Sequence, residues 1–271
     1  MAGEPGWVPP GVDTKRANVA RVYDYWLGGS HNFLADQDLG RAIAAVEPNI
    51  RAFARAGREF LGRAVRFLAD ADIGQFLDIG SGIPTEGNVH EVAQQAAPGA
   101  RVAYVDLDPV AIAHSKAILA GHENAAIIDG DLREPEKILA HDTTQRLIDF
   151  GQPAGLLLAS VLQFISNAED PWRIVATLRD ALAPGSYLVL CHVTDHGKPA
   201  VMQAAEKVYN RSVATQIHVR SRAEIMRFFD GFDLVDPGLV SIPLWRPDPP
   251  ADVPSDPGQF WGGLVGVARK N

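Results

Sequence analysis

The sequence predicts an α/β protein with a doubly wound, mostly parallel sheet of seven strands, an antiparallel last strand and an N-terminal helical cap. Three observations predict this architecture. Apolar side chains recur at helical spacing over residues 14–70, before any strand begins. From Gln75 onward, short apolar runs alternate with helical stretches, which is the pattern of βα units that build a parallel sheet. The first apolar run ends in the glycine turn 80–82, and the second ends in Asp106.

The N-terminal region is predicted to be helical throughout. The first predicted helix is capped by Thr14 and ends at Leu27, and the second covers residues 35–46. The third starts after Asn49. Its apolar stripe consists of Ile50, Phe53, Phe60, Leu61, Val65 and Leu68. We therefore assign residues 1–72 to a cap over the cleft and residues 73–271 to the ligand-binding domain.

The remaining elements alternate along the chain. The predicted strands are 76–79, 102–106, 125–128, 155–159, 187–193, 233–239 (with or without 240–242) and 263–269. The predicted helices are 86–96, 109–120 with Asp108 as N-cap, 134–140, 171–183 after Asp170, 199–209 and 223–229. The proline-rich segment 245–258 is predicted to be a loop, either a passive surface loop or a partial lid.

Composition and charge narrow the class of protein. The net charge of −8 disfavours nucleic acid, because binding to phosphates requires many Lys and Arg side chains. Five arginines of the third helix are interpreted as a solvated face: Arg51, Arg55, Arg58, Arg63 and Arg66. Cys191 is the single cysteine, which fits a reducing compartment and leaves no Cys/His cluster for a metal. We predict a cytoplasmic protein without a signal peptide or a membrane span of about 20 apolar residues.

An acidic side chain in the first strand points to a ligand. Asp78 lies in a run that should otherwise be apolar, and burying a carboxylate is costly without hydrogen-bond partners. Turn amides or a cationic ligand group would supply them. A nicotinamide-binding turn would carry a third glycine where this chain has Thr85, next to a stiffening Pro84. A nicotinamide-dependent oxidoreductase is therefore the less favoured alternative.

Motifs spread over nearly the whole chain carry a resemblance to a known family. They are RVYDY (21–25), LGG (27–29), NF (32–33), DIGSGIPT (78–85), NVHEVA (88–93), YVDLDP (104–109), DGDLR (129–133) and PGSYL (184–188). With them the chain resembles the class I S-adenosylmethionine-dependent methyltransferases, which have a Rossmann-like fold. More narrowly, it is similar to an actinobacterial methyltransferase family of largely uncharacterised members with a helical N-terminal cap.

The resemblance implies S-adenosyl-L-methionine as cofactor, S-adenosyl-L-homocysteine as product, and a set of cofactor contacts. The turn Gly80, Ser81 and Gly82 would lie under the methionine part, and Asp78 would support this turn or the ammonium group. Asp106, followed by Leu107, would accept hydrogen bonds from the ribose. Asp131 and the backbone of Leu132 would hold the adenine amine, and Ala159 and Ser160 would face the sulfonium. Tyr23, on an early helix, completes the predicted contacts.

The resemblance does not settle which residues assist transfer. Asp24, His31, Gln163 and His192 are the candidates for a base or a helper of the acceptor. Gln163 stands where similar sequences often carry His, so an essential base at this position is not expected. Strand four lacks the Asn-Pro-Pro-Tyr signature of amine methylation in DNA or glutamine. We therefore predict a small-molecule acceptor, such as a secondary metabolite, with the oligomeric state and a non-catalytic S-adenosylmethionine-binding role left open.

Overall fold

The sheet has the predicted doubly wound topology. The computed structural model describes residues 8–84, 87–197, 199–213, 215–248 and 262–271, without the side chain of residue 212. Its strands are β1 (Gln75–Ile79), β2 (Arg101–Asp106), β3 (Ala125–Asp129), β4 (Gly155–Ala159), β5 (Tyr187–Val193), β6 (Phe232–Leu234), β7 (Val240–Ser241) and β8 (Gly263–Lys270). They run in the order β3-β2-β1-β4-β5-β8-β6, and the two-residue β7 pairs with β8 as an eighth strand.

Strand direction also agrees with the prediction. β1 to β5 pair in parallel, and β8 pairs antiparallel with β5, β6 and β7. The last strand is therefore the antiparallel one, as expected. The predicted strand 233–239 is wrong beyond Leu234, because Gly238 adopts φ +84° and donates to the carbonyl of Val235 in a turn.

Helices flank the sheet. They are α1 (Val19–Leu27), α2 (Leu34–Val46), α3 (Ile50–Asp70), α4 (Val89–Ala96), α5 (Pro109–Ile118), α6 (Pro135–Ala140), α7 (Asp142–Leu147), α8 (Pro171–Ala181), α9 (Pro199–Ser212) and α10 (Arg222–Met226). Asp108 caps α5 as predicted, and its carboxylate accepts from the amides of Val110 and Ala111. Thr14 does not cap α1, because Asn18 does so by accepting from the amide of Ala20.

The helices α4 and α7 differ from the prediction. The helix predicted over 86–96 begins at Val89, and Glu86 lies outside the described residues. The short helix α7 was not predicted. His141 caps it and also ends α6, so the break between the two falls on one residue without a glycine or proline signal. Most of the predicted loop 245–258, from residue 249 onward, lies outside the described residues.

The described core comprises two layers on the sheet, a smaller cluster of helices, and a group of three residues beside the glycine turn and α5: Ile83, Val110 and Ala111. α3 contributes Phe60, Val65 and Leu68 to the layer that also contains Phe76 and Val102. The smaller cluster instead joins α1, α2 and α9 with one residue at the start of α3: Val22, Trp26, Leu39, Ile43, Ala54, Tyr209 and Val213. The helices over the sheet edge are thus α1, α2 and α9, whereas α3 packs on the sheet. The domain boundary at residue 72 stays a prediction.

Candidate active site

A cavity opens at the carboxyl ends of β1, β2 and β4, where the strand order reverses between β1 and β4. Ligands bind at such reversals in open α/β sheets. Residues of α1, α3, α9 and the segments 130–133 and 215–219 also line the cavity. Of the residues predicted for the site, those that line the cavity are Tyr23, Asp24, Asp78, Gly80, Ser81, Gly82, Asp106, Leu107, Asp131, Leu132, Ala159, Ser160 and Gln163.

The glycine turn after β1 forms the floor of this cavity. Gly80 and Gly82 have φ of +77° and +69°, a region that side-chain-bearing residues rarely adopt. A Cβ at Gly80 would also clash with Cγ2 of Val161. The amide of Gly82 donates to Asp106 Oδ2 at 2.7 Å. Only glycine at position 80 therefore lets the turn approach the loop after β4.

Asp106 fastens the turn as well as lining the cavity. Its Oδ1 accepts from the amides of Leu107 and Asp108 at 2.8 and 2.9 Å, in addition to the bond from Gly82. Burial raises the pKa of this carboxyl, and the three amides oppose the rise. A carboxylate has about four acceptor positions, so one stays for a ligand hydroxyl. The predicted ribose contact stays a prediction, and the backbone role is an addition from the structure.

Asp78 is a buried carboxyl at the cavity. Burial raises its pKa to about 7, Asp106 adds to this rise, and the Arg58 guanidinium opposes it. The side chain is 3% exposed. Such a group is half-protonated near neutral pH and gains most from a ligand that brings a positive charge.

Arg58 is a cavity residue that the sequence analysis missed. Its Nη2 donates to the carbonyl of Ile83 at 3.3 Å, and its buried Nε has no hydrogen-bond partner among the described residues. Arg63, one turn further along α3, donates to the carbonyl of Trp245 at 3.0 Å. The interpretation of the arginines as a solvated face is therefore wrong for these two, because α3 packs on the sheet beside the cavity.

The turn after β3 supplies a charged pair and an apolar surface. Asp131 Oδ1 accepts from the amide of Arg133 at 2.9 Å and from its Nη1 at 3.2 Å, and Arg133 also pairs with Glu169. Asp131 and Arg133 line the cavity. So do the buried Leu132 and, from the loop after β2, Leu107, which is 57% exposed. The resemblance implied that Asp131 is an adenine contact. The structure shows the pair, and the adenine contact stays a prediction.

Ala159 ends β4, and Ser160 follows it beside the glycine turn. Ser160 adopts φ +62°, a strained conformation for serine, and its hydroxyl lies 3.3 Å from Cys191 Sγ. Burial raises the pKa of the Cys191 thiol to about 11, so this thiol is neutral at physiological pH. This strained residue lies where the loop after β4 turns toward the cavity.

Tyr23 and Asp24 bring α1 into the lining. Tyr23 Oη donates to the carbonyl of Ala54 at 2.9 Å, and burial raises its pKa to about 12. Asp24 accepts from the amide of His31 at 2.9 Å and from Asn32 Nδ2 at 2.8 Å. The Asp24 carboxylate therefore organises the turn after α1, which accounts for its burial.

The two candidate histidines do not line the cavity. The His31 ring packs against His114, with centroids 3.8 Å apart. His192 is fully buried; its Nδ1 lies 2.6 Å from the carbonyl of Val193, to which it donates, and its Nε2 accepts from Arg220 Nη1 at 2.8 Å. Burial lowers the pKa of His192 to about 3. Both ring nitrogens are thus engaged, so His192 is corrected from a candidate base to a buried partner of Arg220.

Besides Arg58 Nε and Ser81 Oγ, two further buried polar atoms on the cavity lack partners among the described residues. Gln163 Oε1 and Tyr209 Oη make no hydrogen bond within the described part of the chain, even though both residues are buried, with 5% of each exposed. Gln163 was a predicted site residue, whereas Tyr209 on α9 was not. No local signal distinguishes Tyr209 from other aromatic residues of amphipathic helices, because its position follows from the packing of α9 onto α1 and α2.

Two negative findings concern the described residues alone. They contain no group of three or more His, Cys, Asp or Glu side chains suited to a metal ion. None of their helices combines the length and apolar character needed to cross a membrane.

The chain matches a known family over nearly its whole length. A family model described as S-adenosyl methyltransferase matches residues 5–271. A candidate methyltransferase from Thermobifida fusca YX is 44% identical, with 98% of this chain and 100% of that chain covered and a TM-score of 0.92. A DUF574 family protein from Streptomyces avermitilis is 35% identical, with 96% and 99% covered and a TM-score of 0.91.

A more distant structure shares the fold alone. The N-methyltransferase NodS from Bradyrhizobium japonicum, solved with S-adenosylhomocysteine, is 14% identical, with 86% of this chain and 97% of that chain covered and a TM-score of 0.50. No curated protein matches the chain.

Proposed function

Because the chain belongs to the S-adenosyl methyltransferase family, we propose that it transfers the methyl group of its cofactor, S-adenosylmethionine, to a small-molecule acceptor held between the sheet and the helices α1 and α9. The observation that carries this proposal is the cavity itself, which extends from the glycine turn to α9. The family match supports the cofactor and the reaction class. Nothing in the match or the cavity favours a nicotinamide cofactor.

The residues of the cavity suit the parts of S-adenosylmethionine, whose amino-acid tail is attached to a positively charged sulfur. Burial raises the pKa of the Asp78 carboxyl, and a bound ammonium group would lower it again by favouring the ionised form. Arg58 Nε and Ser81 Oγ are buried donors without partners among the described residues, and they suit a carboxylate. Leu107 and Leu132 offer apolar surface for a base, and Asp106 retains an acceptor position for a ribose hydroxyl.

The protein's part in transfer is mainly positioning. The bound cofactor supplies an electrophilic methyl group, so the chain needs to align the acceptor and exclude water. The loop after β4 carries Ser160 and Gln163 into the same cavity as the glycine turn. Both ring nitrogens of His192 are engaged by protein groups, and the Asp24 carboxylate accepts two protein hydrogen bonds through Oδ2, so neither is proposed as a base.

The proposal is tested by separating the amino-acid tail of the ligand from its nucleoside. Calorimetry would measure the affinities for S-adenosylhomocysteine and for 5′-methylthioadenosine, which lacks that tail. We expect Arg58→Gln to lower the affinity for S-adenosylhomocysteine about 10- to 100-fold, because hydrogen bonds to charged groups contribute about 1.5–3 kcal/mol. Binding of 5′-methylthioadenosine should stay nearly unchanged. The exposed Arg55→Gln on the same helix is the control.

Two outcomes would contradict the proposal. Equal losses for both ligands in Arg58→Gln would mean that Arg58 supports the fold and not the tail of the ligand. Tight binding of NAD without binding of S-adenosylhomocysteine would reject the cofactor site. Transfer itself is measured with methyl-labelled cofactor and an extract of small metabolites, where label in a small product supports the acceptor class.

A further inference from the structure

One side of the cavity has a composition that selects its ligand. We call it the acceptor wall and define it by Phe53, Gln163, Phe164, Tyr209, Ile217 and Val219, all of which line the cavity. Four of the six are purely apolar, and the other two present one polar group each. These residues come from α3, the loop after β4, α9 and the segment 215–219.

The acceptor wall is tied together before any ligand binds. The amide of His218 donates to the carbonyl of Gln163 at 2.7 Å. The side-chain amide of Asn210 on α9 binds the backbone of Ile217 twice: Nδ2 donates to the carbonyl at 3.0 Å, and Oδ1 accepts from the amide at 2.7 Å. The rings of Phe164 and Tyr209 stack with centroids 6.3 Å apart. The wall is therefore preformed, so its chemistry can be compared directly with that of a ligand.

The two polar groups of the wall are unsatisfied. Gln163 Oε1 and Tyr209 Oη are buried and have no partner among the described residues. Leaving a buried polar atom unpaired is costly, so native structures rarely retain one without a reason. A ligand with a hydroxyl or N–H group would satisfy both, because an amide oxygen accepts and a phenol donates or accepts.

The acidic side chains near the wall accept hydrogen bonds from the protein or lie at its margin. Asp24 accepts from the amide of His31 and from Asn32 Nδ2, both through Oδ2. Glu206 on α9 also lines the cavity, but it is partly exposed and accepts from the amide of Val219 at 3.2 Å. Burying a charged ligand against Phe164 or Ile217 would be costly without a partner of opposite charge. These contacts favour a neutral ligand.

Resting on the function proposed above, we infer that the methyl acceptor is a neutral, largely apolar aromatic molecule with one hydroxyl or amine group, which hydrogen-bonds to Gln163 Oε1 and Tyr209 Oη. The acceptor's oxygen or nitrogen lone pair forms the bond to the methyl carbon. The carbon–sulfur bond breaks with its electrons on sulfur, and the acceptor's proton leaves to water. Gln163 is not a base, and burial raises the pKa of Tyr209, so both residues position the acceptor.

The inference is tested with four probes on one ring system. Calorimetry on protein saturated with S-adenosylhomocysteine would compare 1-naphthol, 1-methylnaphthalene, 1-naphthoate and 1-naphthylmethylammonium. We expect 1-naphthol to bind tightest, roughly 3- to 10-fold tighter than 1-methylnaphthalene for each hydrogen bond formed. Gln163→Leu and Tyr209→Phe should each reduce this preference by that factor, whereas Gln203→Leu, on the exposed side of α9, should preserve it.

The outcomes separate this inference from the function on which it rests. Tightest binding by the carboxylate or ammonium probe, no binding by any probe, or an unchanged preference in both variants overturns the inference while S-adenosylhomocysteine still binds. Failure of S-adenosylhomocysteine to bind rejects the proposed function and the inference with it. Tyr209→Phe removes a single hydroxyl, so it keeps the test decisive if Gln163→Leu lowers the melting temperature.

Discussion

At the scale of single residues, the site combines carboxylates that serve the fold with one that destabilises it. Asp106 and Asp24 accept hydrogen bonds from backbone amides, which offsets their burial. Asp78 is different, because burial raises its pKa to about 7. In the unfolded chain an aspartate titrates near 4, so between about pH 4 and 7 the folded state binds this proton more tightly. Its contribution therefore lowers stability as pH rises through this range.

We predict that Asp78→Asn trades affinity for stability. The ligand-free variant should have a free energy of unfolding about 1–4 kcal/mol higher than the wild type at pH 8, with the difference vanishing near pH 4. Its affinity for S-adenosylhomocysteine should fall, because the ammonium group loses its carboxylate. Urea denaturation at both pH values and calorimetry measure these effects. The exposed Asp70→Asn is the control, and a variant that loses stability at pH 8 would contradict this account.

The same carboxyl makes cofactor binding depend on pH. An ammonium group pairs with ionised Asp78, so we expect the affinity of the wild type for S-adenosylhomocysteine to be roughly tenfold lower at pH 6 than at pH 8. The affinity for 5′-methylthioadenosine, which has no ammonium group, should change little. Calorimetry at these two pH values measures both ligands. Equal pH dependence for the two ligands would assign the titration to a group other than Asp78.

Spacing along the chain predicts some of these residues and not others. Asp78 and Asp106 could be placed because strand ends and glycine turns have local signatures. Arg58 could not, because an arginine on an amphipathic helix is exposed or buried according to what packs against it. Tyr209 is also far from the other cavity residues in sequence, so only the tertiary structure brings it to Gln163.

At the scale of elements, one arginine holds the loop after β4 in place. Arg220 is 1% exposed and donates to the carbonyls of Leu162 and Ile165, to Asn167 Oδ1 and to His192 Nε2. All its bonding partners are neutral, so it acts through the geometry of its five donors. The loop it fixes carries Gln163 into the cavity.

We predict that Arg220→Met lowers the free energy of unfolding by about 2–4 kcal/mol, because several buried acceptors lose their donor. Arg220→Lys should restore little of this, since an ammonium group has three donors and cannot reach the same set. Urea denaturation measures both variants, with Arg173→Met, whose side chain is 59% exposed, as the control. Full stability in Arg220→Lys would show that charge and not geometry is the contribution of Arg220.

Elements were predictable where caps and turns mark their ends. Asp108-Pro109 and Asp170-Pro171 begin α5 and α8 as predicted, and β4 and β5 have the predicted bounds. The strand after Phe232 was predicted too long, because apolar residues in a turn continue the pattern of a strand. The sequence predicted α9 as a helix but not its place beside α1 and α2, which depends on long-range packing.

At the scale of the whole molecule, the sheet and the helices α1, α2 and α9, here called the moving cap, have separate apolar clusters. Val22 is fully buried in the cluster of α1, α2 and α9, and Val65 is fully buried against the sheet. The cap cluster is much smaller than the two sheet layers. Regions with few buried apolar contacts open with lower free energy than the core of the same protein. The cap should therefore open without unfolding the sheet.

We predict that Val22→Ala accelerates hydrogen exchange in α1, α2 and α9 together while leaving the sheet and most of α3 unchanged. Removing a buried valine's methyl groups costs about 1–3 kcal/mol, which corresponds to roughly 5- to 150-fold faster exchange of the cooperative unit. The matched Val65→Ala should accelerate exchange in the sheet. If α3 instead follows α1 and α2, the boundary at residue 72 is the physical one. If it follows the sheet, the moving cap consists of α1, α2 and α9, and it opens the acceptor wall while the glycine turn stays in place.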